Sequence, residues 1–302
     1  MQAVVFEEYG GSEVLRLAEV EEPHAGPGHV RLKVMAVGVN AIDHKIRNGW
    51  LRQIRPVAFP AIPGMEAAGI VDEVGEGVTG IAIGDEVLGL TVTGSYAEYA
   101  LATDVAPKPA GLDWETAAAL PGAVETSDRV LDLLKVTDGE TLLIHGAAGV
   151  VGSVSVQLAV TRGATVIGTA SEANHEYLRS LGAVPVAYGD GLVDRVRAAA
   201  PQGIDAVFDT AGHDALEASV ELRGGTTDRM VTIADMRAAE LGVTFSAGAP
   251  RPFGPALADY ARLVADGRLR VRIDRSLPLA DAAQAQDLSA GGHARGKLLL
   301  RP

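Results

Sequence analysis

The segment LLIHGAAGVVGSVSVQLAV, residues 142–160, limits the possible folds of this chain more than any other stretch. It carries no charged residue when His145 is neutral, and its length approaches the roughly 20 apolar residues of a membrane-spanning helix. Glycines at 146, 149 and 152 would interrupt a lone helix in a membrane. The pattern instead predicts a short buried strand, a glycine-rich turn and a helix.

The rest of the chain indicates two regions of different character. HVRLKVMAV at 29–37 alternates apolar and charged residues, which predicts a half-buried antiparallel strand. From about residue 113, continuous apolar strands alternate with helices, which favours a parallel sheet covered on both faces. The other predicted strands are 67–74, 95–102, 141–145, 164–170, 184–188, 204–212, 229–235, 270–274 and 296–300. The predicted helices are 114–120 (with Asp113 as N-cap), 150–163, 174–182, 257–267 and 280–292.

Composition narrows the functional classes. A chain of 302 residues favours two domains, and 47% hydrophobic residues exclude disorder. The absence of cysteine excludes disulfides, thiolate zinc sites and iron–sulfur clusters. A net charge of −13 disfavours nucleic-acid binding. The first residues, MQAVVFEEYGG, lack the basic region of a signal peptide, so we expect a cytoplasmic protein that does not bind membranes.

The glycine-rich turn predicts a dinucleotide site. In a G-x-G-x-x-G turn the first glycine makes the tight turn, the second lets the backbone approach the diphosphate, and the third lets the helix pack against the strand. Here Ala147 stands at the first position, while Gly149 and Gly152 occupy the second and third. The helix N-terminus then offers free N–H groups and a partial positive charge to the diphosphate.

The end of the second strand bears on the choice of dinucleotide. NAD sites usually carry an acid there for the ribose hydroxyls, but this strand ends in Ala170 and Ser171. Ser171 can donate to a 2′-phosphate, helped by Asn174 and Tyr188, so NADPH is favoured. Against this, Glu172 is adjacent and no nearby Arg or Lys precedes Arg179. Ser171 could alternatively serve only as a helix cap.

Five motifs in sequence order carry a family resemblance: V-G-V-N-A-I-D at 37–43, P-G-M-E-A-A-G at 63–69, V-G-E-G-V with G-D-E-V at 74–87, G-S-Y-A-E-Y at 94–99 and H-G-A-A-G-V-V-G at 145–152. Together they resemble the zinc-free, zeta-crystallin-like quinone oxidoreductases of the medium-chain dehydrogenase/reductase superfamily. The resemblance implies an α/β protein with a doubly wound Rossmann sheet and a GroES-like, mainly antiparallel substrate domain. The expected domains are 1–112 with 258–302, and 113–257, with NADPH in the cleft between them. It also implies a homodimer formed through edge strands of the nucleotide domain, for which the apolar run 229–235 is suitable.

The resemblance implies roles for individual residues. Asn40 and Lys45 are the candidate catalytic residues; Asn40 lies near nicotinamide and substrate, while Lys45 falls near the position where relatives often carry a tyrosine, which leaves the proton donor, a side chain or water, open. Lys297 is a weaker candidate. The candidate cofactor residues are Asn40, Thr126, Gly149, Val150, Val151, Gly152, Ser171, Asn174, Tyr188, Ala211, Gly212, Ile233, Phe245 and Ser246.

The residue types also bear on the chemistry. Asn40 stands near the catalytic-cysteine region of the zinc relatives, and Met65 stands where their G-H-E motif has its histidine, so no catalytic zinc is expected. The expected reaction is hydride transfer to a quinone or an α,β-unsaturated carbonyl. A trans-acting enoyl-thioester reductase, with Arg47, Arg52 and Arg55 at a basic entry, is one alternative. A non-catalytic, NADPH-binding structural or regulatory protein is another.

Several neighbouring residues have simpler interpretations. Asp43 is interpreted as a structural carboxylate bonded to nearby backbone rather than as a general acid. His44 and Lys45 are compatible with exposed surface positions. Trp50 suits either packing or stacking on an aromatic substrate.

Overall fold

The chain divides into two units with different sheets. The computed structural model describes residues 1–212, 215–248, 252–292 and 294–302. The first unit comprises Met1–Gly122 and Pro252–Pro302, and the second comprises Ala123–Arg251. The units divide after residues 122 and 251, whereas the predicted domain boundaries fall after residues 112 and 257, and the activity expected of each domain stays a prediction.

The regular elements of the described residues alternate as the sequence suggested in its second half. The strands are β1 Gln2–Val5, β2 Arg16–Glu19, β3 Val30–Val39, β4 Glu66–Val74, β5 Glu86–Thr91, β6 Tyr99–Pro107, β7 Thr141–His145, β8 Thr165–Ala170, β9 Val184–Ala187, β10 Ala206–Asp209, β11 Met230–Thr232, β12 Thr244–Phe245, β13 Ile273–Pro278 and β14 Lys297–Arg301. The helices are α1 Ala41–Arg47, α2 Trp114–Ala118, α3 Pro121–Leu133, α4 Val150–Thr161, α5 His175–Ser180, α6 Leu192–Ala199, α7 Ala215–Leu222, α8 Gly254–Ala265 and α9 Ala282–Ala290.

The first unit is a GroES-like domain built around β3. Its main sheet has the order β13-β14-β3-β4-β5-β6, and β3 also pairs with β6, which closes β3 to β6 into a ring. Every pairing in this sheet is antiparallel except that of β13 with β14. The N-terminal half of β3 alternates as predicted, whereas Val37, Gly38 and Val39 are all buried, because the two valines pack in an apolar cluster and Gly38 lies against Glu66 and Ala118. Asn40 therefore directly follows the buried end of β3.

The second unit contains the Rossmann sheet. Its parallel strands have the order β12-β11-β10-β7-β8-β9. This is the doubly wound arrangement, in which the order of strand addition reverses between β7 and β10. Ligands of such sheets bind beyond the carboxyl ends of the strands at this reversal. The apolar run 229–235 forms β11, which lies between β10 and β12. The prediction that this run forms an edge strand is therefore wrong, since β11 pairs with another strand on each side.

Two predicted strands are displaced. The strand expected at 95–102 begins only at Tyr99, because Tyr96 and Ala97 are fully buried and bridge to the first strand instead. The strand expected at 270–274 runs from Ile273 to Pro278, in register with β14. In both cases pairing with a strand distant in sequence decided the bounds, which local alternation cannot indicate.

The start of α2 gives a direct stability test. The predicted N-cap Asp113 accepts hydrogen bonds from the Thr116 backbone N–H at 2.7 Å and from the Thr116 hydroxyl at 2.8 Å. Asp113→Ala removes this cap, and we expect the free energy of unfolding of the first unit to fall by about 1 kcal/mol. Urea unfolding followed by tryptophan fluorescence measures it, because both tryptophans, Trp50 and Trp114, belong to this unit. Asp113→Asn, which keeps an acceptor, is the control; equal loss in both variants would contradict the cap.

Candidate functional site

The loop between β7 and α4 joins the central parallel strand to a helix that points away from it. The tight turn is made by Gly146, which has a φ of +69°, a value that favours glycine. The tight-turn position was predicted at Ala147, one residue later, so that assignment is wrong. Ala147 is fully buried, and its N–H donates to the carbonyl of Thr169 at 3.0 Å, which ties the loop to β8.

The two later glycines of the loop have different surroundings. A Cβ at Gly152 would lie 2.3 Å from the carbonyl oxygen of Gly146 and 2.8 Å from Cα of Ala147, so helix and turn approach as closely as the third-glycine role requires. A Cβ at Gly149 would meet only the Gly146 oxygen, at 3.2 Å. Gly149 is exposed, and Val150 and Val151 are half-buried in the first turn of α4. The open side of Gly149 leaves the first N–H groups of α4 accessible to a diphosphate.

His145 supports this loop from inside the unit. Ser219 donates its hydroxyl proton to the carbonyl of Ala215 at 2.7 Å, so it must accept from Nε2 of His145, also at 2.7 Å. Nδ1 then accepts from the Thr169 hydroxyl at 3.2 Å. Burial lowers the pKa of His145 from 6.5 to about 4, so the ring is neutral at pH 7.

The end of β8 brings two of the predicted cofactor residues together. Nδ2 of Asn174 donates to Oγ of Ser171 at 3.1 Å, so the Ser171 hydroxyl keeps its proton for another acceptor. Ser171 precedes a short 3₁₀ turn, Glu172–Asn174, but its side chain caps nothing, which contradicts the alternative of a helix cap. The side chain of Tyr188 is 64% exposed just after β9.

Arg195 is bound to the backbone of the loop that carries Tyr188. Its guanidinium donates to the carbonyls of Ala187, Tyr188, Gly189 and Asp190 at 2.6 to 3.2 Å. These bonds hold the loop that carries Tyr188 in place. Arg195 was not among the predicted site residues.

At the end of β10, one carboxylate binds the backbone N–H groups of two predicted cofactor residues. Oδ1 of the fully buried Asp209 accepts from the N–H groups of Ala211 and Gly212, each at 2.9 Å. Its Oδ2 accepts from the Thr232 hydroxyl at 2.7 Å, and the N–H of Ile233 donates to the Asp209 carbonyl at 3.0 Å. The carboxyl ends of β10 and β11 are thus fixed to each other, as expected of adjacent parallel strands.

The outermost strand places the last pair of cofactor candidates. Phe245 ends β12 and is half-buried, and the N–H of Ser246 donates to the Thr232 carbonyl at 2.9 Å. Arg129 in α3 donates to Oγ of Ser246 and pairs with Glu125 at 2.8 Å. Thr126, half-buried, follows Glu125 directly in α3. Arg129 and Glu125 are supporting residues that sequence reasoning missed.

In the first unit, the side chain of Asn40 is hydrogen-bonded to two buried charged residues. Its Nδ2 donates to Oε1 of Glu66 at 2.7 Å, and its Oδ1 accepts from Nζ of Lys297 at 2.7 Å. Lys297 also donates to Oε1 of Glu66, and the N–H of Gly122 donates to Oε2 of Glu66 at 2.6 Å. Glu66 is 0% and Lys297 1% exposed, whereas Asn40 is half-buried. We call Asn40, Glu66 and Lys297 the amide network.

Helix α1 follows Asn40 and buries three titratable side chains, those of Asp43, His44 and Arg47. Oδ2 of Asp43 accepts from the Asn40 backbone N–H and from the hydroxyl of Tyr96, each at 2.9 Å. This agrees with the interpretation of Asp43 as a structural carboxylate. His44 is 6% exposed and packs edge-to-face on Trp50, so its expected surface position is wrong. Lys45 is half-buried, and its catalytic role stays a prediction.

Asp43 makes the first unit sensitive to pH in a defined direction. Burial raises the pKa of Asp43 from 3.8 to about 6, although bonds from Asn40 and Tyr96 oppose this and Lys297 and Glu66 act with opposite signs. The native state therefore holds a proton that the unfolded state releases between about pH 4 and pH 6, so this group's contribution falls as pH rises through that window and is constant above it.

Asp43→Asn is expected to remove that fall. Its curve of unfolding free energy against pH should rise relative to that of the unsubstituted protein between pH 4 and pH 6, by on the order of 2 kcal/mol. Urea unfolding monitored by tryptophan fluorescence from pH 4.5 to 7.5 gives both curves, and their difference cancels the other titrating groups. A difference that does not change with pH would contradict the raised pKa.

The expected basic entry at 47–55 is not formed as predicted. Arg47 is 3% exposed and donates to the Gly10 carbonyl at 3.2 Å and to Oε1 of Gln286 at 2.9 Å. It is a structural residue, so the alternative that relied on three clustered arginines loses one of them. Arg52 is exposed, and Arg55 donates to Sδ of Met65 at 3.2 Å.

The residues that the structure describes contain neither a cluster of metal ligands nor a membrane-spanning helix. No group of three or more His, Cys, Asp or Glu side chains in this part of the chain is arranged to hold a metal ion. Among the helices of the described ranges, none has the length and apolar character needed to cross a bilayer.

Comparisons with known proteins agree on one group. The profile of the alcohol dehydrogenase GroES-like domain matches residues 26–110, and that of zinc-binding dehydrogenases matches residues 181–300. The quinone oxidoreductase of Rattus norvegicus is 32% identical over 325 residues, which cover 99% of this chain and 97% of the relative. The chloroplastic NADPH-dependent alkenal/one oxidoreductase of Arabidopsis thaliana is 30% identical, covering 100% of this chain and 80% of the relative. The structure of Escherichia coli quinone oxidoreductase complexed with NADPH has a TM-score of 0.85 at 26% identity and covers 100% of both chains.

Proposed function

Because the chain belongs to the quinone oxidoreductase branch of the medium-chain dehydrogenase/reductase superfamily, we propose that it reduces a quinone or an α,β-unsaturated carbonyl with NADPH and without zinc. That it is an oxidoreductase using a nicotinamide cofactor and a small-molecule substrate follows from the family. The choice of NADPH, the acceptor class and the residue roles are the proposal.

The glycine loop is the observation that carries the cofactor assignment. Gly146 makes the turn, Gly152 allows the close approach of α4, and Gly149 leaves an open face above the first N–H groups of the helix. These residues fit a diphosphate at the strand reversal between β7 and β10. When bound, the reduced nicotinamide supplies a hydride to the acceptor.

Ser171 supports NADPH over NADH. Its hydroxyl accepts from Asn174, so its own proton is available to a 2′-phosphate oxygen. The strand before it ends in Ala170, where an NAD site would carry an acid. Tyr188 offers a second, exposed hydroxyl after the neighbouring strand.

Asn40 and Lys45 are proposed to act on the acceptor. The Asn40 side chain is the half-buried member of an otherwise inaccessible network, and a second Nδ2 hydrogen is available to the acceptor's carbonyl oxygen. That oxygen gains negative charge during reduction, so a donor there stabilises the transition state. Lys45 or water then supplies the proton that completes the two-electron reduction.

The donor set does not fit zinc, although one matching profile is named for it. Asn40 offers a neutral amide, and Met65 offers a thioether that already accepts from Arg55. Zinc sites in proteins use thiolate, imidazole and carboxylate ligands. The proposed reaction therefore uses no metal at this position.

The function is tested by the loss of reduced-nicotinamide absorbance. NADPH and NADH are supplied in parallel with a 1,4-quinone, a short 2-alkenal or crotonyl coenzyme A. We expect rapid oxidation of NADPH with the quinone or the alkenal. Turnover restricted to the thioester would favour the enoyl-thioester reductase, and tight NADPH binding without turnover would favour a structural or regulatory protein.

Ser171→Asp tests the cofactor preference. A carboxylate here repels the 2′-phosphate and can accept from ribose hydroxyls, so we expect KM for NADPH to rise at least about 10-fold while KM for NADH stays level or falls. Ser171→Ala, which removes the donor without adding charge, should show a smaller rise for NADPH and none for NADH. Equal effects of Ser171→Asp on both cofactors would contradict the assignment.

A homodimer and a cytoplasmic location complete the proposal. The edges of the second unit's sheet are β9 and the two-residue β12. Light scattering coupled to gel filtration tests the dimer, and a mass of about 31 kDa, that of one chain, would contradict it.

A further inference from the structure

The amide network has only one member that an acceptor can reach. Glu66 and Lys297 are fully buried, and Asn40 is half-buried at the end of β3. Neither charged residue can therefore touch a substrate directly. Asn40 is therefore the member of the network through which these two residues can act on the acceptor.

The two charges dictate how the Asn40 amide is oriented. An ammonium group can only donate and a carboxylate can only accept, so Oδ1 must face Lys297 and Nδ2 must face Glu66. A reversed amide would oppose donor to donor and acceptor to acceptor at both contacts. Because both bonds involve a charged partner, they are stronger than those of a neutral amide.

We propose that Glu66 and Lys297 are positioning residues that fix the orientation of the Asn40 amide, so that its second Nδ2 hydrogen is presented to the carbonyl oxygen of the acceptor. The catalytic consequence rests on the proposed function, whereas the orientation does not. A buried ion pair is commonly replaceable by neutral residues without loss of stability, so stability alone does not account for this one.

Gly122 makes a decisive variant possible. Its N–H donates to Oε2 of Glu66 at 2.6 Å. In Glu66→Gln this N–H requires the glutamine oxygen on its own side, so the glutamine NH₂ turns toward Asn40. In the double variant Glu66→Gln/Lys297→Met no buried charge remains, and the glutamine NH₂ needs an acceptor. The Asn40 amide is then expected to reverse.

The orientation is measured without any turnover. The chain has three asparagines, Asn40, Asn48 and Asn174, so labelling with [¹⁵N]asparagine gives three side-chain NH₂ pairs, and Asn40→Ala identifies the relevant one. We expect the Asn40 pair to have one proton shifted downfield by the Glu66 carboxylate. In the double variant that shift should be lost, and exchange with water should become at least about 10-fold faster. An unchanged pair in the folded double variant would overturn the proposal.

Activity supplies the second arm. The double variant is expected to lose about 100-fold in kcat with the responding quinone or enone, the range for one transition-state donor, with Kd for NADPH within about 2-fold. Adding Asn40→Ala to the double variant should cause no loss beyond that of Asn40→Ala alone. Independent, multiplicative losses, or near-normal kcat in the double variant, would overturn the positioning role. If the unsubstituted protein turned over no acceptor, the proposed function would fail, and the amide spectra would still decide the orientation.

Discussion

Lys297→Met alone is expected to cause a large fall in the free energy of unfolding of the first unit. It leaves the Glu66 carboxylate buried at 0% exposure with no cation beside it. Breaking a buried pair in this way costs about 3 to 5 kcal/mol, because the remaining charge is neither solvated nor paired. The midpoint of thermal unfolding should fall by about 10 °C.

The double variant Glu66→Gln/Lys297→Met is the matched control for that loss. It removes both charges and keeps an acceptor for the N–H of Gly122, so most of the lost stability should return. Tryptophan fluorescence during urea unfolding follows the first unit only, since it contains Trp50 and Trp114. Equal destabilisation of the single and double variants would mean that the ion pair itself stabilises the fold.

Gly152→Ala is expected to destabilise the second unit and to weaken dinucleotide binding. Elsewhere in a helix interior this substitution stabilises by about 1 kcal/mol. Here the added Cβ would lie 2.3 Å from the Gly146 oxygen and 2.8 Å from Cα of Ala147, and backbone atoms cannot move aside as a flexible side chain can. Overpacking of this kind costs about 1 to 3 kcal/mol. The displaced turn should also raise Kd for NADPH by at least about 10-fold, since the N–H groups of α4 would no longer converge.

Gly149→Ala separates packing from binding in the same loop. Its Cβ has one contact, at 3.2 Å, and its φ of −70° suits any residue. We therefore expect little change in unfolding free energy, measured by far-UV circular dichroism, with weaker NADPH binding because a methyl group intrudes on the diphosphate face. If Gly152→Ala proved as stable as Gly149→Ala, the close approach of helix and turn would not limit this fold.

The parallel sheet was predictable because its signals are local. TLLIH forms β7 at Thr141–His145 as predicted, and α4 begins at Val150, since an apolar run followed by glycines specifies strand, turn and helix within a few residues. The start of the strand predicted at 95–102 was wrong because Ala97 bridges to Ala3 of the first strand, 94 residues earlier. Helices α6 and α7 were not predicted at all, which left the spacing between β9 and β11 unexplained.

Individual residues of the site were predictable from the sequence, but the contacts between them were not. Asn40 was singled out as a candidate catalytic residue by the family resemblance, whereas its hydrogen bond to Glu66 was not predicted. Lys297 was ranked low, although a lone lysine in the apolar strand that follows Gly296 already indicates a buried partner. The pairing of Lys297 with Glu66 spans 231 residues, and no pattern in one sequence relates positions so far apart.

Strand β3 also has a consequence for biosynthesis, because it pairs with a strand that is encoded much later. Its partner β14 is encoded after the whole of the second unit, which is continuous in sequence. During vectorial synthesis the second unit can therefore fold while the first still lacks the two strands β13 and β14. Until Lys297 has left the ribosome, the Glu66 carboxylate has no cation to accompany it out of water. The nascent first unit must keep that end of β4 hydrated, so its final closure is coupled to the arrival of the strand that neutralises it.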